Sequence, residues 1–231
     1  EQTVSLTYHA NYGTDATQTW DEILNNDQVK IKGNLFPREG YTFKGWSTAP
    51  GGAAEYQEND KARVNNEGTN DLYAVWEANT DTPYTIEFYY QNNDGTYPTT
   101  PYETKSYKGT TDTTATVSES DKQSTRGEAY IFDGAAKNVL SGIVTADGKL
   151  VLKVYFKLNN ASFTIHHYLL GTDVPVADDQ NGIQTIGTTL TASAAAKDKL
   201  YADYKDATAT NESLAQTITI STSGNVITVY Y

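Results

Sequence analysis

Tyr84-Thr85-Ile86-Glu87-Phe88-Tyr89-Tyr90 alternates strictly: Tyr84, Ile86, Phe88 and Tyr90 fall on one side of an extended chain, and Thr85, Glu87 and Tyr89 on the other. A period of two marks a strand with one buried face. Two similar openers occur elsewhere, Val4-Ser5-Leu6-Thr7-Tyr8-His9 and Thr164-Ile165-His166-His167-Tyr168-Leu169. Each opener has its closer, Leu72-Tyr73-Ala74-Val75-Trp76, Leu152-Lys153-Val154-Tyr155-Phe156 and Ile227-Thr228-Val229-Tyr230-Tyr231. In the middle closer Leu150, Leu152, Val154 and Phe156 face one way and Lys149, Lys153 and Lys157 the other. The repeat of about 80 residues is too long for a solenoid unit and suits a small domain. Three strand-first, strand-last modules in tandem follow, at residues 1–79, 83–157 and 162–231. The polar segments Asn79-Thr80-Asp81-Thr82-Pro83 and Leu158-Asn159-Asn160-Ala161 link them, and linkers this short predict an elongated, semi-rigid rod.

Of the 231 residues 18 are Tyr, 6 Phe and 3 Trp, a composition that favours strands and predicts a mostly β fold, α+β at the margin. Helical signals are confined to Trp20-Asp21-Glu22-Ile23-Leu24, Ala135-Ala136-Lys137-Asn138-Val139-Leu140 and the stretch from Ala194 to Tyr204. Asn92-Asn93-Asp94-Gly95 and Asp147-Gly148 read as turns. With neither Cys nor Met, disulfides, thiolate metal sites and cysteine nucleophiles are excluded. The net charge of −12 repels phosphate backbones, so nucleic acid is not an expected partner. No apolar run is long enough to insert in a membrane. The chain reads as a piece of a longer protein, with any export signal or wall anchor outside it.

Leu35-Phe36-Pro37-Arg38-Glu39-Gly40-Tyr41-Thr42-Phe43-Lys44-Gly45-Trp46-Ser47, with Asp71-Leu72-Tyr73-Ala74-Val75-Trp76 some way downstream, resembles the Listeria–Bacteroides repeat, the B-type repeat of internalins. The resemblance covers residues 1–78 and implies a β-grasp, ubiquitin-like module of bacterial surface proteins. The openers Tyr84–Tyr90 and Phe163–Tyr168, with Gly224-Asn225-Val226-Ile227-Thr228-Val229-Tyr230-Tyr231, are similar to the mucin-binding-protein (MucBP) repeats of Gram-positive adhesins. The second module keeps that family's acidic-glycine turn as Asp94-Gly95 and lacks its mid-domain glycine-tyrosine pair. The third carries Leu200-Tyr201 where the pair would be. Mucin binding is the family's name and does not by itself assign the activity.

No phosphate loop, nucleophile elbow or zinc spacing is present, so no catalytic residue, metal ligand or cofactor is expected. His166 and His167 are neighbours in a strand and point to opposite faces, which prevents them from sharing an ion. His167 reads as a packed histidine, and His9 as unremarkable. The strand lysines oppose the apolar row, so no Lys–Asn isopeptide cross-link is expected. Exposed aromatic rings are the remaining functional resource, because sugar rings stack on them and tyrosine adds a hydroxyl. Tyr97, Tyr102 and Tyr107, near Pro98 and Pro101, are the candidate ligand-binding residues; Trp46 and Trp76 read as core. The expected function is that of a non-catalytic, monomeric, extracellular segment of a wall-anchored Gram-positive surface protein serving adhesion or presentation. Its partners would be host or dietary glycans, mucin or another surface protein. The alternatives are a ligand-free spacer holding a distal domain, and a carbohydrate-binding accessory region of a secreted glycosidase.

Overall fold

In the computed structural model the opening strand Thr3–His9 lies inside a four-stranded sheet. It pairs antiparallel with Thr17–Leu24 and parallel with Asp71–Ala78, which pairs antiparallel with Tyr41–Ser47. The structure describes residues 1–68 and 70–231, and they are mostly β. The chain packs as two compact units. One comprises Glu1–Thr85, Ser106–Ala115 and Ser141–Val151; the other comprises Ile86–Lys105, Thr116–Leu140 and Leu152–Tyr231.

Alternation fills the core of the first unit: Leu6 and Tyr8 from the opener meet Leu72 and Ala74 from the closer around Trp46. The indole N–H of Trp46 donates to the Lys32 carbonyl at 2.8 Å, so its one polar atom is satisfied inside the core. Trp76 is half-buried and donates to the Ala10 carbonyl at 2.8 Å. Both tryptophans are structural, as the sequence indicates.

Trp20–Leu24 is a strand, not a helical turn. Val4 pairs with Ile23 and Leu6 with Trp20, so two steps along one strand oppose three along the other: a β-bulge, with Glu22 at φ +59°. The extra residue brings Trp20 and Ile23, three apart, to one face, where both pack on the core. That spacing is what imitates a helix. Ala135–Leu140 also forms no helix; its Asn138 side chain braces an irregular loop. The stretch from Ala194 to Tyr204 holds two 3-10 turns, Lys197–Lys199 and Ala202–Tyr204. The one α-helical turn among the described residues, Asn211–Leu214, lies beyond it and is capped by the Thr210 side chain accepting from Ser213 N–H.

A second sheet has the order Tyr130–Phe132, Val151–Leu158, Thr82–Tyr90, Glu103–Gly109. Thr85 N–H bonds Leu150 O and Gln91 N–H bonds Phe156 O, so opener and closer advance together and are parallel. Ile86, Phe88, Leu152, Val154 and Phe156 are buried, and the strand lysines take the other face. In the third sheet Asn160–Tyr168 sits between Gln180–Thr185, antiparallel, and Asn225–Tyr230, parallel. Parallel pairing of first and last strands thus recurs in all three segments. Each time it requires the intervening chain to cross over.

His9 is far from unremarkable. Its Nδ1 lies 2.8 Å from Asp15 Oδ2 and its Nε2 2.8 Å from Asp71 Oδ1, and the ring stacks on Tyr73 at 4.4 Å. A neutral imidazole has one N–H and can donate to only one of these carboxylates, whereas the imidazolium donates to both. Burial alone would lower the His9 pKa, but the hydrogen bonds to Asp71 and Asp15 outweigh it and raise the value. The hydrogen bond from His9, with a further one from Asn11 N–H, holds Asp15 below the usual carboxylate range despite its slight burial. A raised histidine pKa contributes stability that is complete below the unfolded value and is lost as pH rises through the folded one. The depressed Asp15 sets the acid limit, because its contribution is lost as pH falls through its folded pKa. Both carboxylates remain partly exposed, so the contribution is on the order of 1 kcal/mol, or about 4 °C in Tm. Wild type should exceed H9Q by that margin at pH 5.5 and lose most of it by pH 8.5 in thermal unfolding. A margin independent of pH would show that the imidazolium does not bridge the two carboxylates.

Candidate functional site

Tyr89 and Tyr90 are adjacent on one strand and therefore leave the sheet on opposite faces. Tyr90 joins the core side and stacks on Phe156 at 4.8 Å. Tyr89 takes the polar face and stacks on Tyr155 of the neighbouring strand, with centroids 4.6 Å apart and planes within 10°. Two aromatic rings on the face otherwise given to Lys153, Lys157 and Glu87 create a hydrophobic strip among charges.

A loop after Phe132 is fixed above this strip. Asp133 N–H donates to Tyr155 O at 2.8 Å, Tyr155 N–H donates to Asn138 Oδ1 at 2.9 Å, and Asn138 Nδ2 donates to Asp133 O at 2.8 Å. From the other side comes Tyr97, placed by the Asn92–Gly95 turn, in which Gly95 N–H bonds Asn92 O at 2.9 Å. Tyr97 meets Tyr155 edge-on at 5.0 Å and 87°, and its hydroxyl donates to Asp133 Oδ2 at 2.7 Å. Between these walls is an open cleft of about 670 Å³, lined by Tyr89, Tyr97, Tyr155, Asp133, Lys137 and Lys153, with Pro98 and Thr99 at one lip. That volume is within the range of small-molecule sites.

The charges in the cleft are largely paired. Glu87 Oε2 accepts from the Tyr89 hydroxyl at 2.6 Å and lies 3.7 Å from Lys153 Nζ. Asp133 has the Tyr97 hydroxyl and, 3.9 Å away, Lys157 Nζ. Burial, reinforced by the bond to Glu87, pushes the Tyr89 phenol up to about 12; burial and then Asp133 raise that of Tyr97. Both phenols therefore remain protonated donors at neutral pH. The arrangement offers apolar ring surface, fixed acceptor oxygens and ammonium groups.

The three candidate tyrosines do not form one platform. Tyr97 is in the cleft. Tyr102, 61% exposed, packs edge-on against Tyr90 at 5.2 Å with the Arg126 guanidinium 4.8 Å over its ring. Since Tyr90 and Tyr89 take opposite faces, Tyr102 is not on the side of the cleft. Tyr107 is not a loop residue at all: it belongs to the strand Glu103–Gly109, lies itself in the first unit and stacks on Tyr84 at 5.6 Å. Tyr89 and Tyr155 are the residues that the sequence reading missed. Their signal was present, an aromatic on the polar face of an opener and another on the polar face of its closer.

The two adjacent histidines point apart, as expected. His166 Nδ1 lies 2.8 Å from Asp179 Oδ1, while His167 is buried, 3.1 Å from the Tyr231 hydroxyl, and burial lowers its pKa. Among the described residues no three His, Cys, Asp or Glu side chains are grouped so as to hold a metal ion. No helix among them is long and apolar enough to cross a membrane.

Residues 5–75 match the Listeria-Bacteroides repeat domain. The repeat is found in extracellular surface proteins. Within the repeat the glycine-tyrosine step is Gly40-Tyr41 and the central tryptophan is Trp46, the residue around which the first core closes. The match runs from within the first opener to within its closer; the cleft lies outside it, in the second unit. No curated protein matches the chain.

Proposed function

We propose that the chain is a non-catalytic, extracellular segment of a bacterial surface protein that acts in adhesion, holding a sugar ring in the Tyr89–Tyr97–Tyr155 cleft. Three β-grasp-like modules in tandem would carry it, a reading supported by the parallel pairing of opener and closer in each. The repeat at residues 5–75 supports the extracellular setting. The observation that carries the adhesive reading is the cleft itself: Tyr97 and Tyr155 at right angles, with Asp133 fixed beside them as a hydroxyl acceptor. Sugars are recognised by this combination of aromatic surface and directed polar groups. The non-catalytic reading is supported by the engagement of both nearby carboxylates, each tied to a tyrosine hydroxyl and near an ammonium.

Loss of one aromatic wall should cost about 10-fold or more in affinity, since each stacked ring contributes on the order of 1 kcal/mol beyond its buried area. Y97A and Y155A, checked for folding by circular dichroism, should lose binding on a glycan array while Y102A keeps it. Silence of the wild-type chain across glycans and mucin would overturn the reading and leave the spacer role.

A further inference from the structure

Lys137 stands at the cleft and, among the described residues, has no ion-pair partner. The other two charges of the lining are paired with groups beside it: Lys153 has Glu87 within 3.7 Å, and Asp133 has Lys157 within 3.9 Å. One exposed ammonium is thus left over beside the aromatic walls, in a chain whose net charge is −12. The loop that carries it is anchored, because Asn138, the next residue, is bound to Asp133 O and to Tyr155 N–H. Lys137 is therefore held at the rim by a braced backbone, while its flexible side chain can reach a ligand seated on Tyr155.

Resting on the reading of this cleft as a sugar site, we propose that its ligand is an acidic sugar, a ring bearing a carboxylate or sulfate whose charge is met by Lys137. The ring lies against Tyr97 and Tyr155, its hydroxyls face Asp133, and its anionic group pairs with the ammonium. A lysine ammonium is a point charge with three donors and accepts either anion, without the planar preference of an arginine. The overall negative field disfavours acidic glycans elsewhere on the chain, so the unbalanced cation makes this cleft the place where the cost of approach is offset. An exposed pair of this kind is screened by salt, which gives the proposal a second readout.

The test uses the full chain with matched oligosaccharide probes: uronic-acid or sialylated, sulfated, and neutral. Acidic probes should bind at least 10-fold more tightly than neutral ones at low salt and lose that advantage at 0.5 M NaCl. K137A should remove the advantage, K137R should retain it, and neutral-probe affinity should not change in either variant. Carboxylated and sulfated arms identify which anion is preferred. Equal binding of acidic and neutral probes, unaffected by K137A, would overturn the acidic-sugar assignment and leave the sugar cleft standing. No binding of any sugar would overturn both. Binding of an acidic peptide as tightly as the acidic sugars, lost in K137A but kept in Y155A, would show that Lys137 reads charge alone and would also overturn it.

Discussion

W46A is expected to unfold the first unit at temperatures where wild type is folded. Trp46 is fully buried, with Tyr8 at 4.7 Å, Phe43 at 5.0 Å and Phe36 at 6.2 Å around it, all edge-on. Truncating a buried tryptophan costs about 3–5 kcal/mol from lost transfer energy and the cavity left behind. The Lys32 carbonyl, which accepts the indole N–H, is orphaned as well, at a further cost of about 1–3 kcal/mol. Since a domain of this size has only about 5–15 kcal/mol of stability, most of it is lost. Thermal unfolding followed by circular dichroism should show the first unit's transition lowered by about 15 °C or more, or abolished. W46F keeps a ring and loses the donor, so it should fall between the two. A transition unchanged in W46A would mean that the indole does not organise this core.

The strand framework was legible because alternation is a local property. Leu6, Tyr8, Ile86, Phe88, Ile165 and His167 all take the buried positions that a period of two assigns them. What escaped was non-local or locally ambiguous. Trp20 and Ile23 have helical spacing only because a bulge adds one residue opposite Ser5, and the bulge is visible only in the pairing with Val4 and Leu6. His9 gains its meaning from Asp15 and Asp71, the latter 62 positions away. The cleft depends on Tyr89 and Tyr155, which are near neighbours across a parallel pair whose register no single segment contains. Of the candidate tyrosines, chosen for the loop region around Pro98 and Pro101, Tyr97 is the one that lines the cleft. Tyr107 was misplaced because the prolines nearby outweighed the alternation of Glu103, Lys105 and Tyr107 with Thr104, Ser106 and Lys108.

Gly40 provides the second large effect, and it reports on how the first unit is joined. It has φ +73°, and a Cβ built on it would lie 2.9 Å from the Ala146 Cα and Cβ and from Thr111 Oγ1. Its carbonyl accepts from Asn79 N–H at 2.9 Å and from the buried Thr111 hydroxyl at 2.8 Å, which is also 2.6 Å from Thr82 Oγ1. Next to it the Tyr41 hydroxyl donates to Asp112. Residues beyond Pro83 in sequence are thus hydrogen-bonded to the repeat within one unit, and a polar linker composition did not reveal this. G40V places a β-branched residue in the left-handed region, at about 1–3 kcal/mol. It also forces a branched carbon onto the Ala146 backbone, which cannot rotate away, for about another 1–3 kcal/mol. Gly51 is the control: its φ is +74°, but nothing lies within 4 Å of its built Cβ, so G51V carries the conformational cost without the clash. In urea unfolding G40V should therefore lower the stability of the first unit by roughly twice as much as G51V. Equal losses would mean that Thr111 and Ala146 do not pack on Gly40 in solution, and that the repeat is joined to the following chain by its linker alone.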